Sequence, residues 1–179
     1  MGKVVLDMSM SLDGFVSGSN SEDSGLHDWY FALSSNDTMV IDELLQTIGV
    51  MIIGQRVLGD PADGFDTPYK VPHFVLTHTA RPTVTTAGVP FVFVADGIEQ
   101  IVAQAQTAAG EKVVCVAGGA GTAQQLLAAN RIDELHHHIV SLILGDGLRL
   151  FDGGTPTKLE RTGVIESPGV THLRFRVVK

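Results

Sequence analysis

The stretch Val113-Val114-Cys115-Val116-Ala117-Gly118-Gly119-Ala120-Gly121-Thr122, continuing as Ala123-Gln124-Gln125-Leu126-Leu127, decides how the rest of the chain is read. An uninterrupted apolar run, then small residues, then a helical pattern predicts a strand buried on both faces, a glycine turn and a helix. The small residues let the backbone approach a neighbour closely. The helix start aims unpaired N–H groups and its positive end at the same place. A phosphate suits that place. The other reading is a tight strand-to-helix turn with no ligand, since glycine turns are common in α/β folds.

Composition narrows the ligand and the setting. A chain of 179 residues is expected to form one domain, residues 1–179, with a sizeable core. At 44% hydrophobic and 18% charged residues it reads as globular. A net charge of −8 argues against nucleic acid or an anionic membrane as partner. It also means that an anionic ligand must be met by locally placed Arg or His. Cys115 is the single cysteine, so no intramolecular disulfide can form. Met1-Gly2-Lys3 leads straight into an apolar strand, and no run approaches the ~20 apolar residues of a membrane span. The expectation is a soluble, cytoplasmic protein.

Working outward, Lys3 to Met10 predicts the first strand, and Ser17 to Asp28 a long loop suited to a lid, with Gly14, Gly18 and Gly25 as hinges. Trp29, Tyr30 and Phe31 form the densest aromatic cluster, read as core packing ahead of ligand stacking. A helix capped by Asn36 or Asp37 and ended by Gly49 carries Met39, Val40, Ile41, Leu44, Leu45 and Ile48. Further strands are expected at Val50–Ile53, Pro72–Leu76 and Phe91–Val94, with a helix at Ile98–Ala109. Asp60 to Lys70 is irregular. Asp133 to Val140 predicts a strand continuing toward Leu144 and broken by Gly145-Asp146-Gly147. Thr157–Ile165 and Val170–Val178, around Ser167-Pro168-Gly169, predict a closing hairpin.

In an open α/β sheet, ligands bind at the carboxyl ends of the strands. The polar groups there are Ser9, Ser11 and Asp13; Gly54, Gln55 and Arg56; Thr77, His78 and Arg81; Gly118 to Thr122; and Gly145 to Gly147. The second, third and fourth sets suit anions, so a dinucleotide with a pyrophosphate and a 2′-phosphate is the natural ligand. No G-x-G-x-x-G follows the first strand, which argues against a Rossmann site.

Ser11-Leu12-Asp13-Gly14, Gly54-Gln55-Arg56, Gly118-Gly119, Ile132-Asp133-Glu134-Leu135-His136 and Leu144-Gly145-Asp146-Gly147 with Leu150-Phe151 occur in that order. In this the chain resembles the dihydrofolate-reductase-like proteins related to the C-terminal reductase domain of bifunctional riboflavin-biosynthesis proteins. The resemblance implies an α/β fold with a mostly parallel central sheet, helices on both faces and a C-terminal antiparallel hairpin. It implies an NADPH-dependent reductase, commonly a homodimer, that hands a hydride to a planar pteridine- or aminopyrimidine-type heterocycle at a C=N or C=O bond. Carried over by position, Gly54, Gln55 and Arg56 would face the phosphates. Thr77, His78 and Arg81 would surround the 2′-phosphate, and Gly118, Gly119, Ala120, Gly121 and Thr122 would hold the pyrophosphate. The Gly118–Gly119 bond would be cis, and the loop after the first strand would fold over the nicotinamide. This chain departs from the pattern at Gln55 and Val57, where relatives carry Arg and Thr; at His78, where Arg is frequent; and at Ala117, where pathway reductases carry Glu. Asp37 lies about one residue from the carboxylate that holds a pterin in dihydrofolate reductases, and reads as a helix cap ahead of a pterin ligand.

Asp13 is the candidate catalytic residue, orienting substrate or cofactor; the competing reading is an Asp-Gly turn. His136 and His138 share a strand face and His137 points away, so the three cannot converge on a metal. Cys115 reads as an inert core thiol. No general acid stands out, which leaves a bound water as proton source. The alternatives are an NADP-binding protein of the same fold without turnover, and a flavodoxin-like FMN protein.

Overall fold

The computed structural model describes residues 1–19, 24–32, 34–59, 67–154 and 156–179. The chain runs β1 (Val4–Ser11), β2 (Phe15–Ser17), a 3-10 turn (Asp28–Tyr30), α1 (Ser35–Thr47), β3 (Ile48–Gly54), α2 (Gln55–Leu58), β4 (His73–Leu76), β5 (Val84–Thr86) and β6 (Val89–Val94). It continues through α3 (Ile98–Ala109), β7 (Val113–Gly118), α4 (Ala120–Ala128), β8 (Glu134–Val140), β9 (Leu148–Arg149), β10 (Leu159–Ser167) and β11 (Val170–Val177).

Alternation along the central strands splits the apolar residues between two cores. Val114 and Val116 of β7 join Val4 and Leu6 of β1 and Val50 and Ile52 of β3 beneath α3 and α4, where Ile101, Val102 and Leu126 are buried. Cys115 and Met51 lie on the opposite face with Val40 and Leu44 of α1. A strand covered on both sides needs apolar residues at every position, and β7 supplies them. The sheet order is β10-β11-β8-β1-β7-β3-β4-β6-β5. β8, β1, β7, β3, β4 and β6 run parallel, whereas β5 and the β10–β11 hairpin are antiparallel to their neighbours. This is the expected layout.

Several local expectations are corrected. α1 is capped by Ser34, not by Asn36 or Asp37. The Ser34 hydroxyl accepts from the Asp37 amide at 3.2 Å and the Asp37 carboxylate accepts from the Ser34 amide at 2.9 Å, a reciprocal capping box. Gly49 does not end the helix: α1 passes directly into β3 at Ile48, and Gly49 is a strand residue whose missing side chain makes room for Lys112 and Ala109. β8 stops at Val140 rather than running toward Leu144. The loop expected from Ser17 begins after a strand pair, β2 with β9, that ties it to Leu148 and Arg149. Gly147 sits against this pair so closely that a Cβ there would lie 2.1 Å from the Ser17 carbonyl oxygen. Residues 20–23 of the expected lid and 60–66 of the expected irregular stretch lie outside the described residues.

The aromatic cluster divides. Trp29 is buried, as the core reading requires, while Phe31 is 88% exposed. The Ser34 cap is an ordinary helix-start contact, so Ser34→Ala should cost about 1 kcal/mol. Urea unfolding checks this, with a lower midpoint and an unchanged slope expected.

Candidate functional site

The parallel strands β1, β7, β3 and β4 are adjacent in that order, so their carboxyl ends form one rim. Ile53 pairs with Gly118 and Gly54 with Leu76, which puts the turns after β7, β3 and β4 side by side. The closest approach is between the first two. A Cβ on Gly54 would lie 2.8 Å from Thr122 Oγ1 and 3.4 Å from the Gly119 nitrogen. Gly118 and Gly119 face Val57 across the same seam, and the bond between them is cis. The glycine turn of β7 and the segment after β3 are thus one surface.

α4 opens this surface to an anion. Its N-cap, Gly119, offers no side-chain cap, and its first turn leaves the leading amides without helical partners. Gly121 adds no side chain over those amides and faces open space among the described residues. Thr122 is buried against Gly54 and tightens the turn, its amide bonding the Gly119 carbonyl at 3.0 Å. α2 is only four residues long, too short to build an appreciable dipole. The Gln55 side chain turns back to donate to the Gly59 carbonyl at 3.0 Å, so this residue offers the rim its backbone rather than its amide group. Arg56 is exposed beside it.

At the end of β4, the Thr77 hydroxyl accepts from the Thr79 amide at 3.2 Å and closes its own turn. That turn exposes His78, and Arg81 follows with its guanidinium 5.9 Å from the Phe93 ring centre. Neither Arg56 nor Arg81 joins an ion pair among the described residues, unlike Arg131, Arg174 and Arg176. In a chain of net charge −8, two arginines without carboxylate partners on one rim make a local positive field.

At the end of β1, Asp13 acts as a clip. Its carboxylate accepts from the Ser11 hydroxyl at 2.6 Å and from the amides of Leu144 and Gly145 at 3.1 and 2.8 Å. The Ser11 hydroxyl, followed by those two amides, holds the Asp13 carboxyl down at about 2. Arg149 donates to the Asp13 carbonyl at 3.0 Å and stacks its guanidinium 4.3 Å from the Phe15 ring centre. The structure therefore shows Asp13 joining the turn after β1 to the 142–147 segment.

The other titratable candidates are buried. Asp37 is 1% exposed, inside the capping box and against His172, so it presents no carboxylate to a pterin. Burial pushes the His137 ring down to about 4, with the Phe151 ring centre 5.5 Å from its own in an edge-to-face arrangement. The Cys115 thiol is pushed up by burial, an inert core group. No group of metal-ligating side chains occurs among the described residues. Sequence reasoning missed a buried line of side chains, Asp7, His138, His172 and Asp37, that crosses four elements. Its signal was polar residues at every second position in otherwise buried strands: Asp7, Ser9 and Ser11 in β1, and His136 and His138 in β8.

Two consequences can be measured. Gly54→Ala forces a Cβ into Thr122 and should destabilise by roughly 1–3 kcal/mol. Adding Thr122→Ala should recover much of the loss, an interaction a double-mutant cycle reads. The Asp13 clip is present in full above its ordinary carboxyl value of 3.8 and is lost as the pH falls through about 2. Faster exchange of the Leu144 and Gly145 amides on acidification checks it.

The arrangement has known counterparts. A described protein of Shewanella sp. PV-4, assigned to riboflavin biosynthesis, superimposes with a TM-score of 0.76 at 21% identity, covering 100% of both chains. The deaminase/5-amino-6-(5-phosphoribosylamino)uracil reductase of Thermotoga maritima gives 0.71 at 15% identity over 99% of this chain, which spans 57% of that protein. Enterococcus faecalis dihydrofolate reductase, solved with NADP(H), gives 0.67 at 16% identity over 99% of this chain and 98% of that one. These likenesses establish a dihydrofolate-reductase-like fold. No curated protein matches the sequence. The pattern of the RibD C-terminal domain matches residues 2–173, and the chain accordingly belongs to that family.

Proposed function

We propose that this chain is an NADPH-dependent reductase that transfers hydride to a planar pteridine- or aminopyrimidine-type heterocycle at a C=N or C=O bond. The observation that carries this reading is the shared rim. Open α4 amides, the Gly54–Arg56 segment and the Thr77–Arg81 turn lie at adjacent strand ends, with two arginines free of carboxylate partners among the described residues. Family membership and the reductases among its structural neighbours support it.

The fit to a dinucleotide rests on Gly121 and Gly54. The first leaves the helix start uncovered, and the second brings the β3 turn against it. In this reading Gly118 to Thr122 bind the pyrophosphate through backbone N–H groups, and Arg56 adds charge from the neighbouring turn. Arg81, with His78, meets the 2′-phosphate. The bound nicotinamide supplies the hydride, and the protein orients the two rings and limits water. Asp13 keeps the loop beside the nicotinamide end in place and is a positioning residue. A bound water is the proposed proton source. A second copy of the chain is the proposed partner.

A second reading is cofactor binding without turnover. The observations favouring it are Ala117 before the glycine pair and an Asp13 carboxylate already engaged by three donors.

Incubation with NADPH and a panel of pteridines and aminopyrimidines should oxidise the cofactor. Binding by calorimetry with no oxidation across the panel would favour the second reading. A charge-assisted phosphate contact contributes about 1.5–3 kcal/mol, so Arg56→Ala and Arg81→Ala should each weaken NADPH roughly ten- to hundred-fold. For Arg81→Ala the loss should be larger with NADPH than with NADH. Unchanged affinity in either variant removes that residue from the site.

A further inference from the structure

Three hydrogen-bond contacts run in line across the sheet face that α1 covers. Asp7 Oδ1 meets His138 Nε2 at 3.1 Å, His138 Nδ1 meets His172 Nδ1 at 2.7 Å, and His172 Nε2 meets Asp37 Oδ1 at 2.9 Å. β1, β8, β11 and α1 each supply one member, and all four are buried. Each contact needs one hydrogen between its heavy atoms, because opposed lone pairs at these distances repel. Two neutral imidazoles carry two such hydrogens, whereas three contacts need three.

The carboxylates are read as the acceptors at the two ends, and Asp37 already takes the Ser34 amide at 2.9 Å on its other oxygen. Burial raises the Asp37 carboxyl, but the Ser34 amide and then Ser167, His172 and the Ser34 hydroxyl outweigh it and bring it to about 2. Burial raises Asp7 as well, and His138, in contact at 3.1 Å, more than reverses the effect. That leaves the imidazoles. Burial pushes His172 down. One assignment leaves it neutral: its Nε2–H donates to Asp37, its bare Nδ1 accepts from His138, and both nitrogens of His138 carry hydrogen.

We propose that Asp7, His138, His172 and Asp37 form a three-proton relay holding one imidazolium, and that it acts as a pH-sensitive latch on Trp29. The indole ring centre lies 4.7 Å from that of His138 and 4.9 Å from that of His172, and Nε1–H donates to the Ser9 hydroxyl at 3.0 Å. A cation within about 6 Å of an aromatic ring centre attracts the ring, and loss of the third proton removes the cation and leaves one contact with opposed lone pairs. The latch therefore holds at lower pH and releases as the pH rises.

The other titratable groups around it do not supply the missing hydrogen. His136 Nδ1 stands 3.7 Å from Asp7 Oδ2, beyond hydrogen-bond reach, and its Nε2 is 3.7 Å from Glu134. Burial pushes His136 and His137 down. Arg174 on β11 is paired with Glu43 at 2.9 Å. Cys115 on β7 and the phenols of Tyr30 and Tyr69 are all pushed up by burial and stay protonated. The relay is independent of whether the rim binds a dinucleotide.

Histidine-labelled wild-type protein, held on the low-pH side of the emission transition, tests the count by long-range ¹H–¹⁵N NMR. Three protonated nitrogens over the two rings are expected, and only two would overturn the proposal. Trp29 is the only tryptophan, so its emission reports this site alone. Wild-type emission should show a transition on raising the pH across about 5 to 8. In Asp37→Asn the new amide donates to His172 Nε2 while its carbonyl still accepts from the Ser34 amide, so both rings can be neutral with every contact filled. The transition should then move at least about one pH unit lower, the effect of removing one carboxylate. Superimposable wild-type and variant curves would refute the latch. Asp7→Asn makes the same test from the other end should the first variant fail to fold.

Discussion

The rim depends on a side chain that is not there. β3 and α4 can approach as they do only because position 54 is glycine, leaving room for the Thr122 hydroxyl and the Gly119 nitrogen. With the two segments in contact, the helix start and the β3 turn become one surface. The parallel order β1-β7-β3-β4 then places the β4 turn beside them. A bulkier residue would part strand from helix and separate groups that one extended anion could otherwise touch together.

The two faces of the sheet have different characters. Beneath α3 and α4 the core is mostly apolar, from Val4 and Leu6 to Leu126, with His137 on the same strand face as Leu135. Beneath α1 it is mixed: Val40, Leu44 and Met51 pack on one side, while Asp7, His138, His172 and Asp37 lie on the other. Burying four titratable groups is costly unless each finds a partner, and here each finds one on a different element. Such a set fixes how those elements sit relative to one another, since displacing one strands the rest.

Much of this was readable from residue order. The Val113–Thr122 stretch announced a buried strand, a turn and a helix, and the alternation of Val114, Cys115 and Val116 between two cores follows from its unbroken apolar run. The rim was legible because glycine and polar residues recur where each parallel strand ends. What escaped was long-range or reciprocal. Asp37 looked like a helix cap or a pterin ligand, but its partners are Ser34, three residues earlier, and His172, far along the chain. Gly49 looked like a helix stop, yet its role is to pass close to Lys112. The lone β2–β9 pair has too few residues for a periodic pattern and is held by the Asp13 clip and the glycine at 147. His136 to His138 were rightly separated by strand geometry, but their partners on β1 and β11 could not be named without the register.

One carboxylate serves both the first turn of α1 and the buried histidines. A helix packed only through apolar side chains can rotate or slide by small steps and repack as it goes. α1 has no such freedom, because turning it about its axis would uncap the helix and sever the imidazole contact in the same motion. The helix is keyed to the sheet like a shaft to its hub, and whatever else the protein does, α1 takes part as a fixed wall rather than a moving one.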